Sequence, residues 1–236
     1  MDDLFQSHWR IYRTTIHEDY MEHRSIARSL NEALKSTSGA LRVLDLGCGD
    51  AEVIFRLLPS VPISRYVGVD SAAGVVKILS DRFQKTRDKP PDVQLYHQDM
   101  LSFLHRCDEQ FDIILAGYCV HHLQSAEKRE MLQLAHCRLC DQGTLFIYDI
   151  FREPGQTREQ YLDDYVANMR SNWQVLSGQD LDLIEAHIKA CDFPEELDSY
   201  RLWSEALGYE PAIQQWEGEL HYNKLLRFNP KVGAVA

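Results

Sequence analysis

Short apolar runs recur along the middle of the chain, each followed by a longer stretch whose apolar positions return at helical spacing. The runs begin at Leu41, Arg65, Val93, Phe111 and Thr144, and the alternation spans about Leu41 to Ile150. Near-continuous apolar strands separated by helices predict a parallel sheet covered on both faces. Before it, Leu4 to Lys35 is helical in pattern, with Phe5, Trp9, Tyr12 and Tyr20 among charged residues, until Ser36-Thr37-Ser38-Gly39 breaks it. After Phe151 the alternation stops. Residues 157–191 predict two helices, Phe193-Pro194 opens another that ends near Leu207-Gly208, and two strands follow, Tyr209 to Trp216 and Glu219 to Phe228, joined across Gly218.

The first run ends in Val43-Leu44-Asp45-Leu46-Gly47-Cys48-Gly49-Asp50-Ala51. Gly47 and Gly49 lack the Cβ atoms that would keep a ligand off the backbone, and Asp45 sits at the carboxyl end of the strand, where open α/β sheets bind ligands. A dinucleotide loop would carry a third glycine at position 52, which is Glu52. A glutamate there opposes a pyrophosphate at a helix N-terminus. The loop suits a ligand without phosphates and with a positive centre. Further acids follow the later strands: Asp70 closes Arg65-Tyr66-Val67-Gly68-Val69-Asp70, and Asp99 follows Val93-Gln94-Leu95-Tyr96-His97-Gln98. Either alone reads equally well as a helix N-cap. His121-His122-Leu123 follows the fourth strand.

From about position 41 to 229 the chain resembles the class I S-adenosylmethionine-dependent methyltransferases of the small-molecule type. It departs from them at Ala51, where a glycine is usual. The resemblance implies a Rossmann-like sheet of seven mostly parallel strands, with an antiparallel strand in the C-terminal hairpin, helices on both faces and a helical cap. It divides the chain into an N-terminal helical cap segment (1–38) and a methyltransferase domain (39–236) with a helical insertion at about 155–192. It implies S-adenosylmethionine as cofactor, with S-adenosylhomocysteine as product, held by Asp45, Gly47, Cys48, Gly49, Asp70, Ser71, Asp99, Met100 and Gly117. In this scheme Asp70 receives the ribose hydroxyls, Asp99 receives the adenine amino group, and Met100 offers backbone contact.

Methyl transfer from a sulfonium is an in-line displacement, and the protein chiefly aligns the partners and excludes water. A base is needed only where the acceptor must lose a proton. His121 and His122 are the candidates, since imidazole can deprotonate an alcohol, phenol or amine near neutral pH. His121 is favoured as the nearer to the strand end; a role in shaping the pocket is the plainer alternative. No metal site is expected from the pair, because no carboxylate partner is suitably spaced. Tyr12, Tyr20, Tyr118 and Tyr165 are candidates to contact the substrate; Tyr161, Trp173 and Trp216 could join them or simply pack the cap. His187 reads as a helix-face histidine, and Arg152 and Arg170 as surface arginines.

Size and charge narrow the partners. A chain of 236 residues with 44% hydrophobic and 26% charged content suits one large domain. A net charge of −11 argues against a nucleic acid or an anionic membrane as partner. Lys85 to Lys89 reads as a solvated helix end. No apolar run has the length of a membrane span, and Met1-Asp2-Asp3-Leu4-Phe5 lacks the layout of a signal peptide, so a cytoplasmic enzyme is expected. Among the six cysteines, Cys137-Arg138-Leu139-Cys140 has redox or zinc spacing but no second pair, and structural thiols are expected. A cap over the strand ends favours a small-molecule acceptor, whose identity the chain does not reveal. A homodimer in which the N-terminal helices cap a neighbour is the alternative to self-capping. Three other readings compete: conversion of S-adenosylmethionine to a carboxylated derivative, which needs an arginine near the sulfonium; a non-catalytic cofactor-binding scaffold; and a dehydrogenase, disfavoured by the loop and the hairpin.

Overall fold

A computed structural model describes residues 3–35, 37, 39–85 and 92–231, with side chains from Trp9 onward. Parts of the break at 36–39 and most of the Lys85–Lys89 stretch lie outside the described residues.

The apolar runs form the strands β1 (Leu41–Leu46), β2 (Ile63–Asp70), β3 (Asp92–His97), β4 (Phe111–Gly117) and β5 (Leu139–Arg152). Between them lie α3 (Glu52–Leu57), α4 (Ala73–Lys85), α5 (Met100–Arg106) and α6 (Ser125–Arg138). The C-terminal hairpin is β7 (Ile213–Glu217) and β8 (Asn223–Phe228), giving the sheet order β3-β2-β1-β4-β5-β8-β7. Strands β1 to β5 pair in parallel, and β8 runs antiparallel to both β5 and β7. The expected seven-stranded path is present. A two-residue strand, β6 (Glu195–Glu196), was not read from the sequence and pairs with the end of β5.

Period-two alternation divides the strands between two cores. Leu44, Leu46, Val67, Val69, Ile114, Ala116, Leu145 and Ile147 face α5, α6 and α9 (Leu197–Ala206). Val43, Ile113, Leu115 and Phe146 face α3, α4 and α2 (His23–Leu34). This two-sided burial explains why the strands read as apolar runs rather than as alternating ones.

The N-terminal pattern resolves into α1 (Asp3–His17) and α2, and the chain reverses between them through left-handed residues Asp19 (φ 59°) and Glu22 (φ 56°). Glu22 also receives the Asn223 side-chain amide at 2.8 Å and the Glu219 N–H at 3.2 Å, which ties this turn to the last hairpin. Residues beyond β5 form α7 (Arg158–Asn172) and α8 (Gly178–Cys191), opened by capping boxes at Thr157/Gln160 and Ser177/Asp180. Their apolar faces make a third core with Ile150, centred on Tyr161, Tyr165, Met169 and Trp173. Arg10 on α1 bonds Asp180 on α8, so the first helix reaches the late pair directly.

Candidate functional site

Backbone conformation makes the first part of the site. After β1 the chain passes through left-handed geometry at alternate residues, Gly47 (φ 63°), Gly49 (φ 50°) and Ala51 (φ 55°). A Cβ on Gly47 would lie 2.5 Å from the Cys119 Cβ, and one on Gly49 would lie 2.8 Å from the Tyr12 hydroxyl. The turn exposes the Gly49 N–H, which donates to Asp70 Oδ2 at 3.0 Å, while the Ala72 N–H donates to Oδ1 at 2.8 Å. A carboxylate has about four acceptor positions, so Asp70 retains capacity for two more donors. Asp99 caps α5, accepting the Ser102 N–H at 2.9 Å. Beside it, Gln98 Nε2 is buried without a hydrogen-bond partner among the described residues.

These residues open on a cavity of about 650 Å³. Gly47, Cys48, Gly49, Asp70, Ser71, Asp99, Met100 and Gly117 line one part of it; Tyr12, Tyr118, Tyr165, His121 and His122 line another. Two residues expected there do not reach it. Asp45 is 3% exposed and accepts the Tyr66 hydroxyl at 2.8 Å beneath the loop. Burial lifts its carboxyl to about pH 7, with the charges of Asp70 and Asp50 adding and the Tyr66 bond opposing. Tyr20 stacks on Trp173 (4.9 Å between ring centres) and accepts the Val175 N–H; Trp173 itself lines the wall. Tyr161 is fully buried in the third core, and Trp216 packs on the second. Trp9, Thr15, Met21, His23 and Glu52 complete the wall near the N-terminal helices; of these the sequence pattern drew attention to Trp9 and Glu52, but not as site residues.

The acceptor end is built where β4 ends beside Tyr148 of β5, which runs on to Arg152. Gly117 must be glycine, since a Cβ there would fall 1.9 Å from a carbon of the Tyr148 ring. Tyr118 then adopts φ 49°, a strained value for a tyrosine, held by its N–H on the Tyr148 carbonyl and its hydroxyl on the Met21 carbonyl. A 3₁₀ turn, Val120–His122, follows. Asp149, 1% exposed on β5, accepts the His121 N–H at 2.9 Å and bonds its Nδ1. The carboxylate can only accept, so Nδ1 carries a proton and Nε2 is turned the other way. Burial alone would lower the His121 pKa; the charge and bond of Asp149, with Asp192, reverse this and raise it. Burial pushes Asp149 upward, and the imidazole and backbone donors more than offset it, leaving Asp149 below its usual range.

Asp192 was not expected here. It follows α8, is 3% exposed, and places Oδ1 3.7 Å from His121 Nε2 and 3.2 Å from His122 Nδ1. The expectation that no carboxylate could join the histidine pair is therefore corrected, because the fold returns one from a distant loop. His122 Nδ1 also lies 3.2 Å from the Cys191 carbonyl, and His187 on α8 meets the His122 ring edge-on at 5.4 Å. Asp149 had a legible signal, an acid near the carboxyl end of an apolar strand. Asp192 had none.

Charge in the wall is one-sided. Glu52, Asp70, Asp99 and Asp192 line the cavity, and no arginine or lysine does among the described residues. Arg152 is engaged with the Pro194 and Gln156 carbonyls, and Arg170 with Asp182 and Glu185. All six cysteines are free thiols, Cys137 and Cys140 among them; Cys48 is the one already placed in the cavity wall, and Cys119 also lines it. No described helix is long and apolar enough to cross a membrane.

Comparison with known proteins agrees with this architecture. Residues 43–143, from β1 into β5, match a family described as a methyltransferase domain. An uncharacterized methyltransferase of Staphylococcus carnosus is 23% identical over 167 residues, covering 69% of this chain and 74% of that protein. Magnesium protoporphyrin IX methyltransferase from Synechocystis PCC 6803, solved with bound SAM, superposes with a TM-score of 0.64 at 13% identity, over 98% of this chain and 92% of that one. Mitomycin 7-O-methyltransferase superposes with a TM-score of 0.59 at 12% identity, over 87% of this chain and 53% of that one. The matched segment is thus similar to a methyltransferase domain, and the chain as a whole has the fold of methyltransferases of known structure.

Proposed function

We propose that the protein transfers a methyl group from S-adenosylmethionine to an oxygen or nitrogen of a small-molecule metabolite. The observation that carries this reading is the buried Asp149–His121 pair at the end of a capped cavity whose other end is the glycine loop and Asp70.

The residues present fit the cofactor. Gly47 and Gly49 admit a ligand against the backbone, Asp70 has lone pairs for two hydroxyls, and Gln98 Nε2 and Asp99 offer polar atoms for a base edge. The acidic lining, without arginine or lysine among the described residues, suits a sulfonium and offers a phosphate neither of these cationic side chains. S-adenosylmethionine supplies an activated methyl group when bound. The chain supplies the rest: α1, α7 and α8 exclude water, aromatic faces position the acceptor, and His121 presents Nε2 toward its proton. Asp149 fixes the tautomer that makes this orientation productive. His122, its side chain 39% exposed at the rim, orients the acceptor.

Residues 1–38 and about 155–192 then act as a cap on the domain formed by the remainder of 39–236. Trp9 and Tyr12 from α1, Tyr165 and Trp173 from α7 or its end, and Ile184 and Ile188 from α8 all reach this chain's own cavity, which favours self-capping over a dimer that exchanges caps. Such a capped, acidic cavity favours neutral or cationic small acceptors over nucleic acid. The free thiols fit a cytoplasmic setting. Absence of a lining arginine among the described residues weighs against carboxylation chemistry, and the buried dyad weighs against a scaffold. The test is incubation with methyl-deuterated S-adenosylmethionine and a cell extract split into small-molecule and macromolecular fractions. Label in the small-molecule fraction, lost in His121→Ala, is the expected result; label confined to protein or RNA contradicts the proposal.

A further inference from the structure

We propose that His121 Nε2, His122 Nδ1 and Asp192 Oδ1 form a binding site for one divalent first-row transition-metal ion at the acceptor end of the cavity. This rests on the proposed function's reading of that end as the acceptor's side, and extends it to a bound metal ion.

Geometry comes first. The three ligand atoms lie within 4.8 Å of one another, with Asp192 Oδ1 at 3.7 Å and 3.2 Å from the two imidazole nitrogens. Metal–nitrogen and metal–oxygen bonds of about 2.1 Å at tetrahedral angles separate ligand atoms by roughly 3.4 Å. An ion fits between the groups with small side-chain shifts, and His122 Nδ1 exchanges its contact with the Cys191 carbonyl for it.

Electrostatics points the same way. Asp192 Oδ1 is buried and has no hydrogen bond among the described residues, a costly state for a carboxylate oxygen. Asp149 and Asp192 are 1% and 3% exposed, two buried carboxylates on either side of one imidazole ring. Lys128, the buried lysine near this site, is engaged by the Phe193 carbonyl and lies 3.8 Å from Glu195. A divalent cation supplies positive charge there.

The surrounding contacts complete the design of a metal site. His121 donates Nδ1–H to Asp149, the carboxylate–histidine–metal arrangement that fixes which ring nitrogen ligates. Two imidazoles and one carboxylate select zinc, iron, cobalt or nickel over magnesium or calcium, and leave coordination positions open to the cavity. An acceptor hydroxyl bound there loses its proton to solvent water more readily, because the ion stabilises the anion left behind. That oxygen then takes the methyl as the carbon–sulfur bond breaks. In the loaded protein the ion replaces free Nε2 as the group that favours ionisation; in the ion-free protein Nε2 accepts the proton itself.

Chelator-treated full-length protein, without acceptor, is titrated with Zn²⁺, Co²⁺ and Mg²⁺, following Co²⁺ by its visible absorption. Expected are one tight equivalent of Zn²⁺ or Co²⁺, a Co²⁺ spectrum without thiolate charge transfer, and weak Mg²⁺ binding. His122→Gln and Asp192→Asn should each weaken Zn²⁺ binding at least tenfold, and Asp149→Asn by about ten- to a hundredfold. S-adenosylhomocysteine affinity should be unchanged in these variants, which shows that they fold. His122 is exposed, so its substitution carries little risk to the core. No stoichiometric Zn²⁺ uptake, uptake equal in His122→Gln, or a thiolate spectrum pointing to the cysteines would overturn the site. Because no methylation is measured, loss of the proposed acceptor chemistry and loss of the metal site register separately.

Discussion

Asp70 Oδ2 accepts the Gly49 N–H at 3.0 Å, so the acid that closes β2 directly braces the glycine loop that closes β1. Replacing it therefore removes a ligand group and loosens the loop together. Asp70→Ala should weaken S-adenosylmethionine binding by about 1.5–3 kcal/mol, or roughly ten- to a hundred-and-fiftyfold, the range for charge-assisted hydrogen bonds. Titration calorimetry checks this, and unchanged affinity would remove Asp70 from the cofactor's contacts.

His121 stands at the other end of the cavity, with Asp149 on Nδ1. His121→Ala should lower turnover by about a hundred- to ten-thousandfold while cofactor affinity stays constant. Steady-state kinetics with an identified acceptor, alongside S-adenosylhomocysteine binding, separates these quantities. Equal loss in both would make His121 a packing residue.

Two buried groups give opposed pH dependences. Burial depresses the His23 pKa to about 4, Glu52 opposing and Arg56 adding, whereas an unfolded histidine titrates near 6.5. The unfolded chain takes up that proton first, so the contribution of His23 is full above pH 6.5 and is lost as pH falls to 4. Asp45 titrates at about 7 when folded and 3.8 when unfolded, so its contribution is full below pH 3.8 and is lost as pH rises through 7. Between pH 4 and 6.5 the two offset each other. Relative to wild type, His23→Asn should make stability fall more steeply with rising pH, and Asp45→Asn should do the reverse. Each change is at most about 1.4 kcal/mol per pH unit. Urea unfolding across this range reads both slopes, and parallel curves for all three proteins would refute the assignment.

Gly117 is held by contact rather than by a glycine-only conformation, its missing Cβ being occupied by the Tyr148 ring. Gly117→Ala should destabilise the protein by on the order of 2 kcal/mol, the scale of overpacking a core. Tyr148→Leu in the same chain should recover part of that loss by clearing the ring. Denaturant midpoints measure both, and a neutral single substitution would contradict the packing at this junction.

Much of the fold is legible because each strand is buried on both faces and each crossover helix keeps its own apolar period. Gly47, Gly49, Asp70 and Asp99 could be placed at strand ends from spacing alone, since a parallel sheet aligns all such ends along one edge. Spacing does not say which way a side chain at that edge turns. Asp45 looked equivalent to Asp70, yet it turns under the loop to Tyr66. Tyr20 lies one layer behind Trp173 rather than in the wall. Asp192 is invisible for a different reason: it reaches His122 only through the packing of α7 and α8 on the strand ends, a long-range result with no local period.

The most direct test is parallel calorimetric titration of the purified protein with S-adenosylmethionine, S-adenosylhomocysteine and NAD. Micromolar binding of both sulfur nucleosides with none of NAD is the expected result, since the loop places Glu52 where a pyrophosphate would need a glycine and the described cavity wall has no arginine or lysine. Binding of NAD, or of neither sulfur nucleoside, would contradict the assignment of this cavity.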